Sequence, residues 1–171
     1  MTAPVFVDTN VFVYARQAKE SIKQPVAAAW IESLWRDQLG RTSIQVLNEL
    51  YVTLLQKIRP ALVEEQAWEA VQVLLAWDPH PVNASITVRA RDVARRHRLS
   101  WWDSLIVAAA QAQNCAVLLS EDLQDHAVYG SVTVRSPFTL TVSESAASYA
   151  PAQAAVSRHR PRGRPRRVVG F

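Results

Sequence analysis

An α/β domain built on a parallel sheet is the fold this sequence predicts, on three observations. Short apolar runs at residues 5–7 and 116–119 alternate with segments of helical periodicity, as strands covered on both faces by helices must. Both runs end abruptly at acids, Asp8 after the first and Ser120-Glu121-Asp122 after the second, where open parallel sheets place their ligand crevices. The 171 residues with 49% hydrophobic composition are enough for one buried core, and one domain is the simpler expectation. The expected architecture is a central parallel sheet of about four to five strands flanked by helices.

The elements follow in chain order. Pro4-Val5-Phe6-Val7-Asp8 reads as a strand that stops at an acid, and residues 9–16 continue with helical spacing. Pro25 can start a second helix, to about residue 39, because proline is tolerated in a first turn. Past Ser43, the side chains of Leu47, Leu50, Tyr51, Leu54, Leu55 and Ile58 recur on one apolar stripe, which marks an amphipathic helix closed by Pro60. Residues 63–77 give another helix, broken by Asp78-Pro79-His80-Pro81. A helix over 85–97 buries Ile86, Ala90 and Val93, with Arg91, Arg95 and Arg98 on an opposite face. Ser100 precedes Trp101-Trp102-Asp103, and residues 105–112 are apolar nearly all round, which describes a helix buried on most sides at the centre of the domain. Residues 116–119 form a fully buried strand and Val132-Thr133-Val134 a last, peripheral one. The domain ends near residue 140. Beyond it Ser, Ala, Pro and Arg follow without periodicity, so residues 141–171 are expected to be a disordered basic tail.

Charge sharpens that division. The net charge is +4, yet six arginines fall in the last fourteen residues, leaving 13 Lys and Arg against 15 Asp and Glu ahead of them. The basicity therefore belongs to the tail. Cys115 is alone, so it makes no internal disulfide and reads as a small buried hydrophobe in a reducing cytosol. No cationic segment precedes the first apolar run, and nowhere do about eighteen apolar residues run together. Neither export nor a membrane span is expected, which leaves the cytoplasm.

Four acids from four elements converge in this scheme: Asp8 and Asp122 past strand ends, Glu49 near a helix start and off its apolar stripe, and Asp103 in a first turn, where the helix dipole favours negative charge. Two carboxylates about 4 Å apart repel by roughly 4 kcal/mol at an effective dielectric of about 20, so such a group needs protons or a cation. An all-oxygen site suits Mg2+ or Mn2+. His80, His97, His126 and His159 are scattered, which argues against zinc. A hard cation held by few carboxylates suits hydrolysis of phosphodiesters. Taken singly each acid has a plainer role. Asp103 can complete a capping box with Ser100, Glu49 can be a solvated helix residue and Asp122 a turn residue.

These residues resemble the PIN-domain family and, within it, the VapC-like toxins. Asp8-Thr9-Asn10 after a leading strand is similar to the family's first acidic motif, Glu49 to its helix-borne glutamate, Ser100-Trp101-Trp102-Asp103 to its third, and Leu118-Leu119-Ser120-Glu121-Asp122-Leu123-Gln124-Asp125 to its fourth. The similarity spans about residues 4–138. It implies a PIN-like fold and a Mg2+- or Mn2+-dependent endoribonuclease that leaves a 5′-phosphate. It implies too a homodimer held inactive by a small antitoxin. Asp8, Glu49, Asp103 and Asp122 are then the catalytic, metal-binding acids, with Asn10 and Ser120 supporting them. Asp125 stands as an alternative or helper to Asp122.

An RNA substrate needs positive charge nearby, and Arg91, Arg95 and Arg98 are the internal candidates, against the plainer reading of a solvated helix face. Trp30, Trp35 and Trp68 suit helix packing or an oligomer interface better than base stacking. Within the tail, Arg162-Gly163-Arg164-Pro165 resembles an AT-hook, whose arginines enter the minor groove of A·T-rich DNA. The simpler role for Arg162 and Arg164 is nonspecific nucleic-acid affinity. A catalytically silent PIN-like binding module, a related DNA nuclease and a phosphatase with Asp8 as nucleophile are the competing functions. The last is disfavoured because position 10 is Asn rather than a second acid.

Overall fold

Three consecutive apolar residues, Val5–Val7, form β1 and are buried throughout, as a strand with helices on both faces must be. The structure, a computed structural model, describes residues 3–17 and 19–140. The expected tail, with Arg162 and Arg164, lies outside the described residues.

β1 is the second strand of a five-stranded sheet. The others are β2 (Gly40–Arg41), β3 (Val117–Leu119), β4 (Val128–Tyr129) and β5 (Val132–Arg135), in the order β2-β1-β3-β5-β4. The first four in that order run parallel, with Phe6 opposite Arg41 and Leu118, and Leu118 opposite Val134. β4 is antiparallel to β5, so the sheet is parallel except at one edge.

Two features differ from the sequence-based expectation. The strand at Val132 is interior, because β4 covers its outer side through the Gly130-Ser131 turn, where Gly130 takes a φ of +65° that suits glycine. β2 has no apolar signature at all. It is placed by contact: a Cβ on Gly40 would stand 2.5 Å from the Trp77 ring, so only glycine lets the edge strand pass this tryptophan. Gly40→Ala is therefore expected to cost about 1–3 kcal/mol through overpacking, read as a lower urea midpoint. An unchanged midpoint would refute the close approach.

Among the described residues there are six α-helices, α1 (Thr9–Arg16), α2 (Lys23–Arg36), α3 (Ile44–Gln56), α4 (Glu64–Leu74), α5 (Ala84–His97) and α6 (Trp101–Ala112). Pro25 lies in the first turn of α2, and the Ser43 hydroxyl caps α3 by accepting from the Val46 N–H at 3.4 Å. The helix expected over residues 63–77 is α4 followed by a 3-10 turn, Leu75–Trp77, that stops where Asp78 turns left-handed. Every residue from Ser104 to Ala110 is buried, so α6 is the central helix its composition announced. It packs between α5 and the sheet, while α1 meets α2 and α3. Cys115 is buried, and burial pushes its thiol up to about 12, leaving it unreactive. None of the described helices is long and apolar enough to cross a membrane.

Candidate acidic active site

Strands that run parallel end on the same sheet edge, so residues just past adjacent strands share a crevice. Asp8 follows β1 directly, and its N–H donates to the Leu119 carbonyl at 3.0 Å, which carries the ladder to the edge. Its carboxylate also caps α1, with Oδ1 accepting from the Thr9 N–H at 2.7 Å. On the other oxygen, Oδ2 accepts from the Ser120 hydroxyl at 2.7 Å and from the Asn10 amide at 3.2 Å.

Asn10 stands between two acids. Its Nδ2 also donates to Asp122 Oδ2 at 3.0 Å, and its Oδ1 accepts from the Glu121 N–H at 3.3 Å. Ser120 works similarly, since its Oγ accepts from the Asp122 N–H at 3.2 Å. Glu49 reaches the same place from α3, where Oε2 accepts from Thr9 Oγ1 at 3.1 Å and Oε1 from Gln45 Nε2 at 3.0 Å. Burial pushes the Asp8 carboxyl up to about 6. Ser120 and Thr9 pull it back, and the charges of Asp122 and Glu49 raise it again. Two of the other expected acids thus act on Asp8.

Asp103 is engaged elsewhere. It accepts from the Ser100 hydroxyl at 2.7 Å, and its N–H donates to that same oxygen at 3.1 Å, a helix-capping arrangement. Its charge acts on the Tyr129 hydroxyl, which burial first and Asp103 second push up.

Asp125 is held apart from the crevice acids. Oδ1 accepts from the Ser136 N–H at 2.9 Å, Oδ2 accepts from the Thr139 hydroxyl at 2.8 Å, and Arg135 pairs with it at 3.3 Å. Burial pushes its carboxyl up, but the bonds from Ser136 and Thr139 and the charges of His126 and Arg135 hold it below the usual range. These contacts make it a pin for the segment after β5. Asp125→Ala is expected to cost about 1–3 kcal/mol of stability with RNA cleavage per folded molecule unchanged; a loss of cleavage without a loss of stability would return it to the acidic set. Because the folded carboxyl titrates low, its contribution is present above the ordinary aspartate range and fades as pH falls through the depressed value.

The crevice has a volume of about 880 Å3, and Thr9, Glu49, Asp122, Lys57 and Trp102 are among its lining residues. Arg91, Arg95 and Arg98 are exposed on or beside α5 and do not line it; among the described residues the lining cation is Lys57. Sequence reasoning missed Lys57, Thr9 and Gln45. Gln45 was within reach, as it lies one helical turn before Glu49. Trp30 is buried as a packing residue, whereas Trp35 and Trp68 keep roughly half their surface, each against another ring.

Among the described residues no three His, Cys, Asp or Glu side chains stand close enough together to hold one metal ion. A closed cage is not what Mg2+ asks for. It takes one or two carboxylates and completes its shell with water and phosphate oxygens, and Asp8 and Asp122, both bonded to one Asn10 amide, are an oxygen pair of that kind. The donor set fits a hard divalent cation.

The family model for the PIN domain matches residues 5–129. None of the curated proteins matches the chain. Among solved structures, VapBC2 from Rickettsia felis bound to a DNA fragment from their promoter is 19% identical with a TM-score of 0.57, the match covering 77% of this chain and 97% of that one. VapC20 from Mycobacterium tuberculosis, a Sarcin-Ricin loop cleaving toxin, is 20% identical with a TM-score of 0.50, covering 69% and 91%. At such identities the likeness is one of fold.

Proposed function

This chain belongs to the PIN-domain family, and from that premise we propose that it is a metal-dependent endoribonuclease, the toxin of a VapBC-type toxin–antitoxin pair. The observation that carries this is the buried Asp8, tied with Asp122 to a single Asn10 amide at the ends of adjacent parallel strands.

Asp8 and Asp122 would hold Mg2+ or Mn2+, with Glu49 beside them; Asp103 is kept as the fourth acid on the family resemblance alone. When bound, such an ion supplies charge to a phosphate oxygen and lowers the pKa of water. The chain's own residues prepare that chemistry. Asn10 and Ser120 fix the two carboxylates, so the acids need no reorganisation as charge develops. Thr9 and Gln45 hold Glu49 in the wall of the same crevice. The VapBC assembly of the Rickettsia felis neighbour supports a small antitoxin as partner, and a homodimer in the cytoplasm completes the proposal. A silent binding module is the second reading, favoured by the engagement of Asp103 with Ser100.

The test is cleavage of a labelled cellular RNA pool by antitoxin-free protein in Mg2+ or Mn2+, and in excess EDTA. Discrete cation-dependent cuts are expected, reduced about a hundredfold or more in Asp103→Asn and unchanged when residues 141–171 are removed. Folded protein that makes no cuts would leave the binding module standing.

A further inference from the structure

Aromatic surface is exposed at one place where exposure has a use. Trp102 lies in the first turn of α6 with 63% of its surface accessible, the largest exposure of any tryptophan among the described residues, and it lines the same crevice as Glu49, Asn10 and Asp122. A tryptophan left this open forgoes much of the burial its ring would gain in a core.

The platform beneath it is rigid. α6 is buried from Ser104 to Ala110, and Ser100 caps its start. Leu105, one turn further on, lines the same crevice. Gln45 then ties this platform to the acids, for its amide donates both to Glu49 Oε1 at 3.0 Å and to the Trp102 carbonyl at 3.2 Å.

Electrostatics sharpens the point. With two lining carboxylates and one lining cation, Lys57, the side chains of the crevice attract a phosphate backbone poorly, so contacts to the bases have to add to whatever a bound cation supplies. We propose that Trp102 is a base-stacking platform that seats one unpaired nucleotide beside the acids, with Gln45 as the positioning residue that sets its distance from Glu49. This rests on the nuclease reading and assigns the residue that would seat an unpaired base within it. A base within a duplex keeps its faces stacked on its neighbours, whereas an unpaired base can turn a face to an indole.

The probe is a short unpaired oligoribonucleotide carrying 2-aminopurine, titrated in Ca2+ for binding and then given Mg2+ for cleavage. Wild type and Trp102→Phe are expected to bind it and quench its fluorescence. Trp102→Ala is expected to bind about 10- to 100-fold more weakly without the quench, and in cleavage to raise KM by a similar factor with kcat nearly kept. Because Trp102 is mostly exposed, the variant should fold, and its circular dichroism checks this. Equal affinity and quench in wild type and Trp102→Ala would overturn the proposal, as would wild type that binds no oligonucleotide. Binding and quench without any cleavage would uphold the platform and overturn the nuclease reading instead.

Discussion

Asp8→Asn is expected to stabilise the cation-free protein at pH 8 while lowering RNA cleavage about a thousandfold or more. Burial lifts the folded carboxyl from 3.8 to about 6, and each unit of pKa corresponds to about 1.4 kcal/mol. Since the folded state binds this proton more tightly than the unfolded chain does, stability grows as pH falls from above about 6 towards 4, and is lost as pH rises through that window. At pH 8 the ionised, buried carboxylate weighs fully against the fold. Asparagine carries no charge and still caps α1 through its oxygen, although its NH2 cannot accept from Ser120 and Asn10 as Oδ2 does. Its urea midpoint in EDTA should therefore exceed that of wild type at pH 8 by less than the full charge penalty and vary less with pH. Mg2+ should stabilise wild type by mass action and leave the variant unmoved. A variant less stable than wild type at pH 8 in EDTA would show that Asp8 serves the fold, not a cation.

Trp30→Ala is the largest stability loss anticipated, about 3–5 kcal/mol. The side chain is essentially buried on α2, and its indole N–H donates to the Pro137 carbonyl at 3.0 Å. Truncation opens a cavity in the core and leaves that carbonyl without its donor, so α2 loses its tie to the segment after β5. Trp30→Phe keeps most of the packing and loses only the hydrogen bond, at about 1–2 kcal/mol. Urea denaturation of the two variants separates the contributions, and an alanine variant within 1 kcal/mol of wild type would mean that the site collapses around the loss.

Both predictions rest on features of different legibility. Asp8 stood out because an apolar run ended in an acid, and the structure puts it at the sheet edge as expected. Trp30 was readable as a packing residue. By contrast, Asp122 and Asp125 were three residues apart and indistinguishable by type. Their side chains diverge because the turn after β3 gives Asp122 to Asn10 and Asp125 to Ser136 and Thr139. The arginines of α5 were legible as an exposed face, but where that face points depends on how α5 docks against α6.

The sequence by itself determined the α/β class, the helices and the Ser100 cap of α6, the central apolar helix and the acids at strand ends, because burial periodicity and capping act over a few neighbouring residues. Only the tertiary structure decided the strand order, the two short edge strands and the company each acid keeps. Two-residue strands such as β2 and β4 have no period of their own and exist through their partners' hydrogen bonds. Asp8 and Ser120 lie 112 residues apart in the chain and 2.7 Å apart in space, a proximity set by the pairing of β1 with β3 and by no local pattern.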